Sequence, residues 1–223
     1  MDTNYGTLVP RREAHFKKFN HFNVVNSEIQ GLPYILKDIK DKAIVTPSIL
    51  ELGVKRSKPE RSTHHKDYFK GIDTSKYILS DFDKGLDVEV TADIHKLDEV
   101  FSEEQFDYII SYSVHEHLKY PDLAALKMLK CLKVGGVILI QTHQTYPLHG
   151  YPFDFYRFSR EALEAEFNPL MGCKVITSYY DSPAVILPHA NVPGWNDVAE
   201  TYLGVGILVR KTEKTPETFQ YAI

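Results

Sequence analysis

Ile49-Leu-Glu-Leu-Gly53 and Phe106-Asp-Tyr-Ile-Ile-Ser-Tyr-Ser113 are short apolar runs that stop at a glycine or a small polar residue. Three similar runs accompany them: Tyr68-Phe-Lys-Gly-Ile-Asp73, Val88-Glu-Val-Thr-Ala-Asp93 and Gly135-Gly-Val-Ile-Leu-Ile140. The runs are rich in Val and Ile and lie too far apart for hairpins, which predicts mostly parallel strands joined by crossovers. In such a doubly wound α/β sheet the ligand crevice lies outside the carboxyl ends of the strands, so the residues that end successive runs converge in space. Glu51, Gly53, Asp73, Asp93 and the stretch from Ser111 to His117 are thereby the first candidates for a site.

The segments around these runs support the same architecture. Leu123, Leu126, Leu129 and Leu132 recur at helical spacing after Pro121, which predicts a crossover helix from Tyr120 to Leu132 that Lys133-Val-Gly-Gly136 ends. Ile29, Leu32, Ile35, Leu36 and Ile39 predict an amphipathic helix before the first strand, with Ser27 as its N-cap. Ser159 to Phe167 reads as a short helix capped by Ser159, and Lys174 to Tyr180 and Gly204 to Arg210 as two further strands. Residues 1–26 are polar and lack a period. The expected organisation is an arm and helix over 1–47, an α/β domain over 48–211 and a tail over 212–223.

With 223 residues, 43% hydrophobic and 25% charged, the chain fits one soluble domain with a terminal extension. A formal charge of −4 without blocks of like charge argues against nucleic acid and anionic membranes and favours a small-molecule partner. The two cysteines, Cys131 and Cys173, form no Cys-x-x-Cys, which fits a reducing compartment. The opening residues lack the pattern of a signal peptide, and no apolar stretch has the length of a membrane span, so a cytoplasmic protein is expected.

Gly53 has no Cβ and lets a ligand approach the backbone, although Val54-Lys-Arg-Ser-Lys-Pro59 stands where a Gly-rich turn is usual. Asp73 follows about 20 residues later, the spacing at which an acid accepts hydrogen bonds from ribose hydroxyls. Asp93 suits either an adenine amino group, with Ile94 against the ring, or the N-cap of a helix. His115, Glu116 and His117 follow the fourth run, and an imidazole there would serve as a base near neutral pH; the alternative is a packed His117 beside a solvated His115 and Glu116. His143 and His149 flank Tyr146. With Tyr151, Asp154, Tyr156 and Arg157 they form either an acceptor pocket or an aromatic surface loop in which Asp154 and Arg157 pair with each other. Neither His-x-His117 nor His143-x₅-His149 has the i, i+4 spacing of a helical zinc pair, and both cysteines lie elsewhere, so no metal site is expected.

Taken in order, Leu50-Glu-Leu-Gly53, Gly71-Ile-Asp73, Ala92-Asp93, Phe106-Asp-Tyr-Ile-Ile-Ser111, Ser113-Val-His-Glu-His-Leu118 and Leu132-Lys-Val-Gly-Gly136 resemble the motifs of class I S-adenosylmethionine-dependent methyltransferases. His149-Gly-Tyr-Pro-Phe-Asp-Phe-Tyr-Arg-Phe158 is further similar to a type 11-like bacterial subgroup acting on small molecules. The resemblance runs over residues 48–211 and implies a Rossmann-like, mostly parallel seven-stranded sheet that binds S-adenosylmethionine. It implies Glu51 and Gly53 near the methionine and ribose, Asp73 on the ribose, Asp93 and Ile94 at the adenine, and Ser111 and Ser113 at the methionine end. The implied acceptor is a small molecule such as a sugar or surface-glycan precursor, with His117 or His143 as base. His115, His149, Tyr151, Asp154, Tyr156 and Arg157 would surround it.

The chain departs from the family in its first loop, where Gly53 is the only glycine. That departure motivates the alternative of a non-catalytic binding or scaffolding module on the same fold. A nicotinamide-dependent oxidoreductase is disfavoured, because no Tyr has Lys four residues later and no Gly-x-Gly-x-x-Gly turn follows Gly53.

Overall fold

Parallel pairing begins at β1 (Ile49–Leu52), which lies between β2 (Tyr77–Asp81) and β4 (Phe106–Tyr112). The computed structural model describes residues 30–186, 199–219 and 221, with backbone only for 199 and 200. β3 (Val90–Thr91) and β5 (Leu132–His143) extend the parallel sheet on either side. β7 (Ala199–Lys211) then pairs antiparallel with both β5 and β6 (Cys173–Ile186). The resulting order is β3-β2-β1-β4-β5-β7-β6, the seven-stranded, mostly parallel sheet that the motifs imply. Among the described residues no helix is long and apolar enough to cross a membrane.

Both sheet faces are covered, which is why the strands read as continuous apolar runs rather than alternating ones. Successive side chains along a strand point to opposite faces. Leu50, Leu52, Ile109, Ile138 and Ile140 face α2 (Leu97–Val100), α3 (Pro121–Cys131) and α4 (Arg160–Ala165). Ile49, Tyr108, Ile110 and Leu139 pack with Leu32, Ile35 and Ile39 of α1 (Gly31–Asp41). The helix expected ahead of the first strand is thus a layer of the domain. Its expected cap Ser27 and residues 1–29 lie outside the described residues.

Three expectations change. The second strand is not Tyr68 to Asp73: Lys66–Phe69 forms a 3-10 turn, Gly71 has φ +82°, and the strand beside β1 is Tyr77–Asp81. A left-handed glycine interrupts an extended chain, whereas Tyr77-Ile-Leu-Ser-Asp81 pairs residue for residue with β1. The buried face of α3 is Pro121, Ala124, Ala125, Met128 and Leu129, while Leu123 is exposed. A strict three-residue repeat drifts round a helix of 3.6 residues per turn, so Leu123 turns out to solvent while Leu129 and Leu132 stay in the core. Nor does Gly135 end that helix. The chain passes from Cys131 straight into β5, and residues 133–136 bulge where the register jumps from Phe106↔Leu132 to Tyr108↔Val137. Ser159 caps α4 as expected, accepting from the Ala162 N–H.

Asp38 ties α1 to the sheet. Its carboxylate accepts from the Tyr108 hydroxyl at 2.8 Å and from Arg210 at 2.7 Å, and pairs with Lys42 at 2.9 Å. Burial pushes this carboxyl up, but the hydrogen bonds from Arg210, Lys42 and Tyr108 outweigh it and hold Asp38 below the usual carboxylate range. Stability from a depressed carboxyl is present above its unfolded pKa of about 3.9 and is lost as pH falls through the lower folded value. Asp38→Asn should therefore lower stability by about 3 kcal/mol at neutral pH, since it leaves Arg210 unpaired. That difference should shrink steadily below about pH 4 in urea unfolding series.

Candidate active site

The strand order reverses between β1 and β4, so the crevice opens outside the carboxyl ends of these two strands. Gly53 leaves β1 at φ +77°, and a Cβ there would overlap Val114 Cγ2 in the turn after β4. Only glycine satisfies both the backbone and the contact. Gly53→Ala should cost about 2 kcal/mol by chemical denaturation, from strain plus separation of the two turns.

The acid that ends β2 is Asp81. Its Oδ2 accepts from the Lys55 N–H at 2.9 Å and its Oδ1 from the Asp83 N–H at 3.1 Å, which leaves each oxygen a lone pair. Asp73 is not at this end. It precedes β2, is exposed, and accepts from Thr46 Oγ1 at 2.8 Å and the Ser75 N–H at 2.9 Å, among the amino ends of the strands. Asp93 does end β3 and uses one oxygen as an N-cap, accepting from the His95 N–H at 3.0 Å while His95 Nδ1 lies 2.8 Å away. Ile94 is buried in the core layer of α2 and α3.

The loop that replaces the Gly-rich turn is tightly held. Glu51 spends both oxygens on the His65 N–H at 3.0 Å, lies 2.7 Å from His65 Nδ1, and accepts from the Tyr77 hydroxyl at 2.7 Å. Thr63 Oγ1 donates to the Val54 carbonyl, Lys55 pairs with Asp83 at 2.9 Å, and Arg56 pairs with Asp87. Two of the three cations of this loop, Lys55 and Arg56, are thus neutralised by acids from the segment after β2.

Beyond β4 the expected residues separate into two groups. Ser111 points inward, 3.4 Å from His115 Nδ1, and His115 is 0% exposed, against Phe158 and 3.7 Å from Glu166. Burial pushes the His115 pKa down to about 4 and the Glu166 carboxyl well up, so this is an uncharged packed pair. His115 is therefore a core residue and is walled off from any acceptor. Ser113, in contrast, is exposed at φ +53° and donates its N–H to the Gln141 carbonyl.

Glu116 is the centre of the second group. Although its side chain is 0% exposed, Oε1 lies 3.0 Å from His143 Nε2, 3.7 Å from His149 Nε2 and 3.8 Å from His117 Nε2. Oε2 accepts from Thr142 Oγ1 at 2.6 Å. Burial alone would raise this carboxyl, yet His143, 3.0 Å away, and the hydrogen bond from Thr142 keep it below the usual range. The imidazoles are fixed in turn: His143 stacks on Tyr146 with ring centroids 4.0 Å apart, and His117 Nδ1 lies 2.9 Å from the Phe153 carbonyl. Gly150 makes room for His117, since a Cβ there would come within 2.6 Å of its Cε1.

The aromatic loop is held to this cluster from outside. The Phe155 and Tyr156 N–H groups donate to the Glu116 carbonyl, and Asp154 accepts from the His149 N–H at 2.9 Å. Arg157 grips Asp154 at 2.6 and 2.9 Å and donates to the carbonyls of Tyr146, Tyr156 and Pro147. Arg157 and Asp154 are thus the staple of the loop, and Arg157 has no donors left over for an acceptor anion. Tyr151 is 94% exposed, and Tyr156 is partly exposed with its hydroxyl on the Lys119 carbonyl.

The structure therefore brings His117, His143, His149 and Asp154 together, leaves Tyr151 exposed on the adjoining loop, and places Asp73, Ile94 and His115 elsewhere. Sequence reading missed Asp81 as a site residue and named Glu116 only within the His115–His117 trio, without seeing it as the centre of the histidines. The signal for Asp81 is an apolar run ending in an acid, Tyr77-Ile-Leu-Ser-Asp81. Glu116 carries no such signal, because an acid between two histidines at the end of a strand reads as solvated.

By sequence, the methyltransferase domain family matches residues 57–140, from the loop after β1 to the middle of β5. No curated protein matches the chain. Among solved structures it is similar to the trans-methyltransferase CalH complexed with SAH, at 14% identity and a TM-score of 0.50 over 79% of this chain and 54% of that one. It is also similar to a SAM-dependent methyltransferase from Archaeoglobus fulgidus, at 12% identity and a TM-score of 0.53 over 81% and 95% of the two chains. A third is the Burkholderia thailandensis 1,6-didemethyltoxoflavin-N1-methyltransferase with bound 1,6-didemethyltoxoflavin and S-adenosylhomocysteine, at 12% identity and a TM-score of 0.51 over 93% and 88%. The chain spans about half the length of CalH and most of the other two. At such identities these likenesses are of fold. The strand order and the match over residues 57–140 thus give the chain a methyltransferase-like fold with a methyltransferase-domain segment that runs from the loop after β1 to the middle of β5.

Proposed function

We propose that this protein is an S-adenosylmethionine-dependent methyltransferase and that it methylates a hydroxyl of a small-molecule acceptor, a sugar or surface-glycan precursor, at the cluster around Glu116. The observation that carries the reading is the gathering of three imidazoles on one buried carboxylate just beyond the ends of β4 and β5, beside the crevice. Exposed Tyr151, Phe153 and Tyr156 on the adjoining loop supply apolar faces on which a sugar ring stacks.

Asp81 tests whether the chain fits the cofactor. At the end of β2 it keeps a lone pair on each oxygen, which suits a ribose diol, and Asp93 keeps Oδ2 free for the adenine amino group. Gly53 and Ser113 flank the methionine end, and Glu51 acts through His65 by fixing the loop between them. The pairing of Lys55 and Arg56 with acids leaves neither to oppose a sulfonium. When bound, S-adenosylmethionine supplies a methyl group already activated by positive sulfur.

The chain must then position the acceptor and take its proton. Glu116 Oε1 lies 3.0 Å from His143 Nε2, which leaves His143 Nδ1 as the nitrogen for the task of base. His143 would take the hydroxyl proton of the acceptor as that oxygen is methylated. His117 and His149 complete the wall.

Calorimetry with S-adenosylmethionine, followed by incubation of small-molecule extracts with methyl-labelled cofactor, tests the proposal. The expected result is saturable binding and label in a sugar-containing fraction. Absence of heat and of a thermal shift at millimolar cofactor would leave a scaffold on this fold. Binding with label in no hydroxylated compound would overturn the acceptor class.

A further inference from the structure

We propose that Glu116, His143 and His149 bind a divalent transition-metal cation, zinc by their donor types, and present its open position to the acceptor. The three ligand atoms come from the turn after β4, the end of β5 and the loop beyond it, and all lie within 4.8 Å of one another. Donors bonded at about 2.0–2.1 Å in a tetrahedral site stand about 3.3 Å apart. The separations of 3.0 and 3.7 Å from Glu116 Oε1 bracket that value. Two histidines and one glutamate with a fourth position free is also the composition of catalytic rather than structural zinc sites.

A second observation points to a ligand. Glu116 Oε1 is buried and has no hydrogen-bond partner of good geometry, although three Nε2 atoms stand within 3.8 Å of it. An ionised oxygen buried in this way is costly unless something positive completes it. The surrounding contacts are those of metal ligands, whose free ring nitrogen meets a carbonyl or carboxylate. His149 Nδ1 lies 3.1 Å from the Pro147 carbonyl and 3.7 Å from Asp154, and Thr142 anchors the other oxygen of Glu116. His117 Nδ1 meets the Phe153 carbonyl, which turns Nε2 toward the same point as a reserve donor.

Placing this cation at the acceptor end rests on the proposed function; its binding does not. With the ion present, His143 is a ligand and the cation lowers the pKa of a hydroxyl bound beside it. With the ion absent, His143 is the base.

Chelator-treated full-length protein titrated with zinc chloride by calorimetry, and with cobalt(II) by visible absorption, tests the site. One ion per chain and the intense visible bands of four-coordinate cobalt are expected. His143→Ala, His149→Ala and Glu116→Gln should each weaken binding about tenfold or more, whereas His64→Asn, remote from the cluster, should not. Circular dichroism checks folding, and His149→Ala, at a partly exposed ring, suffices if the buried variants unfold. No heat or visible band at millimolar metal, or an unchanged band in the His143→Ala/His149→Ala double variant, overturns the site. Full methyl transfer by chelated protein would also remove its catalytic role and leave the methyl-transfer reading standing. Failure of the cofactor to bind sinks that reading and leaves the cobalt spectrum untouched.

Discussion

Glu116→Ala is expected to lower kcat by about two to three orders of magnitude while leaving the dissociation constant for S-adenosylmethionine within about twofold. The carboxylate is the one group that His117, His143 and His149 share, and it is held from behind by Thr142. Without it three imidazoles lose their common partner and the orientation of the acceptor goes with them. The backbone carbonyl of Glu116 still receives the Phe155 and Tyr156 N–H groups, so the loop should remain docked. Glu116→Gln retains the shape without the charge and should fall between the two enzymes. Steady-state kinetics with calorimetry of cofactor binding checks the split; an unchanged kcat would remove the cluster from the reaction, and a lost cofactor affinity would move it to the other end of the crevice.

Asp81→Ala should weaken cofactor binding by about 1.5–3 kcal/mol, the range for a hydrogen bond to a charged group, or roughly ten- to over a hundredfold. Asp73→Ala should leave it unchanged, because its exposed carboxylate serves Thr46 and Ser75 at the other end of the strands. Asp81 also anchors the Lys55 N–H, so part of any loss would come from a loosened loop. Asp81→Asn keeps one carbonyl acceptor for that N–H and separates the two effects. Should Asp73→Ala be the damaging change, the ribose position inferred from β2 would be wrong.

Runs that bury both faces of a strand are visible in one dimension, and so were β1, β4, β5 and the end of β3. β2 was displaced by a competing run, Tyr68 to Asp73, that has equal apolar content and ends in an acid; the left-handed Gly71 and the pairing with β1 decide against it. The aromatic loop was flagged, but its internal economy was not legible. Asp154 and Arg157 stand three apart, a spacing equally compatible with a staple and with an open anion site, and only the four carbonyl and carboxylate partners of Arg157 choose between them.

The histidines show the same limit more sharply. Local spacing excluded a helical zinc pair and could not see that Glu116, His143 and His149 arrive from three separate segments. It also could not tell His115, which turns into the core, from His117, which turns out of it, because a 3-10 turn sends neighbouring side chains in different directions.

The amino-acid sequence by itself determined the doubly wound sheet and its crevice at Gly53 and Ser113, since these follow from hydrophobic period and from the residues that end strands. Only the tertiary structure decided that Asp81 rather than Asp73 stands at the crevice and that Glu116 gathers the histidines. Which end of the sheet a residue occupies depends on strand register, and whether an acid is buried depends on what the rest of the chain lays over it.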